Sequence, residues 1–74
     1  MENLTPREFG ILYALVKNSP KAINRADLFN IIWKQDYPET TRRIDMMIKR
    51  LRSKLGDELA GRIKTEGGIG YRFE

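Results

Sequence analysis

Between Thr40 and Leu55 the sequence TTRRIDMMIKRLRSKL sets six cations, Arg42, Arg43, Lys49, Arg50, Arg52 and Lys54, against one acid, Asp45. The chain holds 14 Lys and Arg and 10 Asp and Glu, so this stretch carries +5 and the remaining residues −1. Charge gathered on one short element, rather than spread evenly, is the chemistry of polyanion recognition. The same inventory argues against catalysis. There is no Cys and no His, which removes the usual zinc ligands, the thiol nucleophile and the commonest general base. Glu8, Asp27 and Asp45 fall at predicted helix starts, where capping and the helix dipole account for them. No acid–base or metal cluster converges, so no enzyme, cofactor or metal is expected. Gly67, Gly68 and Gly70 do not form a phosphate-cradling loop: the GxxxxGK[ST] pattern is absent and no helix follows them.

The cations need an element to aim them. At ~100° per residue a helix over 41–55 puts Ile44, Met47, Ile48, Leu51 and Leu55 on one apolar stripe. Arg42, Met46, Lys49, Arg50 and Ser53 point the other way, with Arg43 and Arg52 on the flanks. A charge run is ordinarily a solvated face. Met46 argues otherwise, because an exposed thioether ringed by Arg42, Arg43, Lys49 and Arg50 adds nothing to solubility. It suits a groove that offers both phosphates and thymine methyls.

The rest of the chain reads as a frame for that helix. Its 74 residues form one domain, 1–74, with enough apolar content for one small core. No apolar run approaches the ~20 residues of a membrane span, and no signal-peptide pattern opens the chain, so a cytoplasmic protein is expected. A first helix spans Leu4 to Asn18. Thr5 is its N-cap, Pro6 takes the first position and Glu8 completes a capping box. Leu4 is expected to staple onto Phe9. Phe9, Leu12, Tyr13 and Val16 repeat at helical spacing, widened by Ile11 and Leu15, and Asn18-Ser19-Pro20 ends the run. Lys21-Ala22-Ile23 suits a brief strand. Asn24, with Asp27 three residues on, caps a second helix that runs to Trp33. Pro38 makes 34–40 a loop, and Thr40 or Thr41 is expected to cap the third helix. Gly56 is placed for a left-handed cap, with 57–61 a plain connection. Residues 62–73 read as a hairpin: Ile63 and Thr65 alternate with Lys64, Tyr71 and Phe73 with Arg72, around a glycine-rich turn.

Helix, short strand, helix, loop, basic helix, hairpin is the order of a winged helix-turn-helix. The expected class is α+β, three helices with a small antiparallel sheet that includes the C-terminal hairpin as wing. The third helix would enter a major groove.

At this point the chain resembles the C-terminal effector domain of OmpR/PhoB-type response regulators. The residues that carry the likeness are Leu4-Thr5-Pro6-Arg7-Glu8-Phe9, then Arg25-x-Asp27-Leu28 running to Trp33. Ile44-Asp45-x-x-Ile48-x-Arg50-Leu51-Arg52-x-Lys54-Leu55 follows, then Ile63-Lys64-Thr65 and Gly68-x-Gly70-Tyr71-Arg72-Phe73. The match runs in order over almost the whole chain. It implies sequence-specific binding of double-stranded DNA by a bacterial transcription regulator of a two-component system, on tandem half-sites. Arg50 would read a base and Met46 would touch a thymine methyl. Arg42, Lys49, Arg52, Trp33, Thr65 and Tyr71 fall on phosphate-contacting positions, and Arg43 belongs to the same basic surface. The loop 34–40 corresponds to the family's contact with RNA polymerase, and weak homodimerisation on DNA is implied.

The chain departs from the family pattern in three places. It has no room for a receiver domain, lacks the sheet that precedes the first helix, and carries Glu66-Gly67 where many members have a minor-groove Arg. Glu66 is expected to repel phosphate and so weaken the wing. The competing class is a winged-helix protein-interaction module whose basic helix faces an acidic partner without DNA. A membrane-surface helix is disfavoured, because Ile44, Ile48 and Leu51 are needed for the core.

Overall fold

The computed structural model describes residues 3–35 and 42–74. Its elements are α1 (Pro6–Lys17), β1 (Ile23–Asn24), α2 (Arg25–Trp33), α3 (Arg43–Leu55), α4 (Asp57–Ala60), β2 (Ile63–Glu66) and β3 (Gly70–Phe73). The strands form one antiparallel sheet in the order β1-β3-β2, with Ile23 opposite Tyr71 and Ile63 opposite Phe73. Helices α1 to α3 pack with this sheet, and the β2–β3 hairpin is the wing of a winged helix-turn-helix.

Local chemistry sets the helix starts. The Glu8 amide donates to Thr5 Oγ1 (3.2 Å), and the Thr5 amide donates back to Glu8 Oε1 (2.8 Å). This is a complete capping box, with Pro6 at the first position. The Asp27 amide donates to Asn24 Oδ1 (2.7 Å) at the head of α2. The head of α3 is different. Arg42 is its N-cap residue and makes no side-chain capping bond; Thr40 and Thr41, the expected caps, lie outside the described residues, as does most of the loop 34–40.

The core is one cluster. α3 contributes Ile44, Met47, Ile48, Leu51 and Leu55, the stripe that the sequence shows. α2 adds Leu28 and Phe29, and the sheet adds Ile23, Ile63, Tyr71 and Phe73. α1 departs from expectation. Ile11, Ala14 and Leu15 are its buried apolar residues, while Phe9 (58% exposed), Tyr13 and Val16 face outward. Leu4 packs on the core without Phe9, whose ring instead stacks on Tyr13 at 6.4 Å. The helix is apolar around much of its circumference, so 3.6-residue periodicity admits two stripes ~200° apart. Contact with α3 and β3 selects the one holding Ile11 and Leu15.

The link after α3 also differs. Gly56 has φ 84° and ψ 163°, a positive φ with extended ψ rather than a left-handed cap. The chain breaks there and restarts as the short helix α4, with Asp57 and Glu58 in its first turn.

Gly70 marks the closest approach in the sheet. A Cβ placed there would lie 2.1 Å from the Ile23 carbonyl oxygen. β1 and β3 therefore meet only because position 70 has no side chain. Gly70→Ala should cost about 3 kcal/mol in urea unfolding. Gly67→Ala, where a Cβ meets open space, should stay within about 0.5 kcal/mol of wild type.

Glu8 is 3% exposed and carries charge. Its Oε1 accepts from Lys54 Nζ (2.8 Å) as well as from the Thr5 amide, joining the start of α1 to the end of α3. Lys54 first, then the Thr5 amide, hold the carboxyl below its ordinary value of 4.5. A carboxyl depressed on folding stabilises above its unfolded value, and that contribution is lost as pH falls through the folded one. The stability gap between wild type and Glu8→Gln should therefore be widest near neutrality and shrink below a pH of 4.5, as read by denaturant titrations across pH.

Candidate nucleic-acid interface

The outward face of α3 carries Arg42, Arg43, Met46, Lys49, Arg50 and Ser53, all exposed. Met46 is 54% exposed among these cations. The buried stripe on the reverse of the helix fixes this orientation, since rotating α3 to hide Met46 would expose Ile44 and Ile48 to water. An open cleft beside this face is lined by Arg43, Met46 and Arg50 on one side and by Pro6, Arg7 and Trp33 on the other.

One polar cluster holds α3 at its angle. Asp45 Oδ1 accepts from Arg25 Nε of α2 (2.7 Å) and from the Tyr71 hydroxyl of β3. Burial pushes the Asp45 carboxyl up, but the hydrogen bonds from Tyr71 and Arg25 outweigh it and leave it lowered. Burial first, and the hydrogen bond to Asp45 second, push the Tyr71 phenol up. The Arg25 guanidinium also lies over the Tyr71 ring at 5.1 Å. The sequence alone presents Asp45 as a dipole-compensating acid in the first turn. Its partners sit 20 and 26 residues away, and no local pattern announces them.

The cluster changes the placement of several expected contact residues. Tyr71 is 5% exposed, with its hydroxyl donated to Asp45. Arg52 turns inward: its Nη2 donates to the Ile63 carbonyl (2.7 Å) and to Thr65 Oγ1 (3.0 Å), with the guanidinium over Tyr71 at 5.7 Å. Thr65 is exposed, and its hydroxyl accepts that bond. Together these residues tie α3 to the wing. Trp33 is partly buried, stacked on Phe29 at 4.4 Å between ring centroids, with Arg7 above it. Glu66 is not a bare charge: Arg72 donates to it, and also to Glu74, along the wing. The expected repulsion at the wing is therefore answered within the hairpin.

Among the described residues no group of His, Cys, Asp and Glu is arranged to hold a metal ion, and no helix is long and apolar enough to cross a membrane. Replacing Asp45 with Ala tests the cluster. The variant should lose about 1–2 kcal/mol of stability, a figure discounted for the partial exposure of the pair. Its Tyr71 phenol should titrate closer to the ordinary value of 10.0, as followed by absorbance against pH.

Residues 2–73 match the family model described as transcriptional regulatory protein, C terminal. The chain is 40% identical over 74 residues to the transcriptional regulatory protein YclJ of Bacillus subtilis, covering 100% of this chain and 33% of that protein. It is 39% identical over 75 residues to ResD of the same organism, covering 97% of this chain and 31% of ResD. The chain thus spans about a third of the length of the curated relatives it matches. Among solved structures, the DNA-binding domain of Klebsiella pneumoniae RstA in complex with the RstA box superposes with a TM-score of 0.86 at 32% identity, covering 96% of this chain and 72% of that one. The DNA-binding domain of B. subtilis CssR gives 0.84 at 35% identity, covering 97% and 78%. A winged helix-turn-helix, an outward basic helix and these matches agree: the chain belongs to the C-terminal-domain family of transcriptional regulatory proteins, the OmpR/PhoB type.

Proposed function

We propose that this chain binds double-stranded DNA sequence-specifically, as the effector domain of a bacterial transcription regulator, with α3 in the major groove and the β2–β3 hairpin beside it. The observation that carries the reading is the exposed face of α3: Met46 surrounded by Arg42, Arg43, Lys49 and Arg50, held outward by the buried stripe behind. That the related RstA domain was solved on its DNA box supports a duplex as the ligand.

In this reading Arg50 donates two N–H groups to guanine O6 and N7, and Met46 packs on a thymine methyl. Lys49, Arg42 and Arg43 neutralise phosphates and fix register. Arg52, Thr65 and Tyr71 serve chiefly by bracing α3 against the wing, and Trp33 borders the cleft. Copies would occupy tandem half-sites and associate weakly there, and residues 34–40 would supply a contact for RNA polymerase. The working place of such a protein is the cytoplasmic nucleoid.

Two substitutions divide reader from anchor. Arg50→Ala should relax base preference at one position of the half-site, a loss of ~1–3 kcal/mol in discrimination. Lys49→Ala should weaken every duplex alike and reduce the log–log salt slope by ~0.9. Binding titrations against a panel of single-base variants check both. The same selectivity profile for wild type and both variants would defeat the assignment, and no duplex bound at low salt would defeat the function.

A further inference from the structure

We propose that Arg7 grips a backbone phosphate of the bound duplex beyond those reached by α3, and that Trp33 is the platform that positions it. The inference rests on the DNA-binding reading above and extends it to α1. Arg7 is exposed in the first turn of α1, and its guanidinium carbon stands 4.8 Å from the centre of the Trp33 ring. A guanidinium lying on a ring face is held in place while its N–H edge remains open, which suits two parallel bonds to an oxyanion. The platform is itself fixed, because Trp33 stacks on Phe29 of the core at 16° between ring planes.

Position supplies the ligand class. Arg7 and Trp33 form the wall of the cleft that faces Arg43, Met46 and Arg50. A helix seated in a major groove ~12 Å wide has phosphates along both lips, so a cation on the wall beside that helix meets the backbone rather than base edges. Glu8 also lines the cleft, but it is buried and satisfied by Thr5 and Lys54, so it does not draw Arg7 away. Among the described residues no ion pair uses Arg7. The basic surface thus runs across two elements far apart in sequence, where the charge run 40–55 alone shows one.

The test uses the full chain and a duplex that it binds, scanned with single methylphosphonates, which replace one phosphate charge at a time. Arg7→Ala should lower the log–log salt slope by ~0.9 and leave base preference unchanged. One methylphosphonate position that weakens wild type should no longer weaken Arg7→Ala, and Arg7→Lys should retain part of that sensitivity. Trp33→Leu, checked for folding by circular dichroism, should lose the same position, and adding it to Arg7→Ala should cost nothing more at that phosphate. An unchanged slope and an unchanged scan in Arg7→Ala would overturn the proposal while wild-type binding stands. Failure of wild type to bind any duplex would instead remove the parent reading, and this one with it.

Discussion

The orientation of α3 hangs on Asp45. One carboxylate accepts from Arg25 of α2 and from Tyr71 of β3, so a single acid joins the two helices of the helix-turn-helix to the wing. Apolar packing alone is non-directional and would tolerate some sliding of α3 over the core. Charge-assisted hydrogen bonds from two directions do not. Arg52 repeats the arrangement about two turns along, bonding the Ile63 carbonyl and Thr65. The helix is thus pinned near both ends of its buried face, and the exposed cations inherit that rigidity.

Two of the six cations in residues 40–55 are therefore spent inside the protein. Arg52 serves the wing and Lys54 serves Glu8. Charge counted along residues 40–55 overstates what is offered to a ligand. Arg42, Arg43, Lys49 and Arg50 remain on the outer face, and Arg7 joins them from α1.

What the sequence makes legible follows the range of each interaction. Capping residues act within three positions, so Thr5 with Glu8, and Asn24 with Asp27, could be read directly. The α3 stripe was equally plain, because its apolar residues fall on one side and its charges on the other. α1 offered no such contrast. Phe9, Tyr13 and Val16 look as core-like as Ile11 and Leu15, and only tertiary contact separates them. The Asp45 cluster, the inward turn of Arg52 and the stacking of Arg7 on Trp33 all join residues distant in the chain. The family resemblance implies contact roles for Tyr71 and Arg52, yet it does not show that both are engaged in holding the fold.

The sheet leaves little backbone on offer. β1 has only two residues, β3 is paired on both sides, and β2 presents Lys64 and Thr65 along its outer edge. Much of the exposed apolar surface, Phe9, Tyr13 and Val16, lies instead on α1, where main-chain donors and acceptors are largely closed within the helix. Among the described residues the open edge of β2 is short and carries the charge of Lys64, which disfavours edge-to-edge strand pairing.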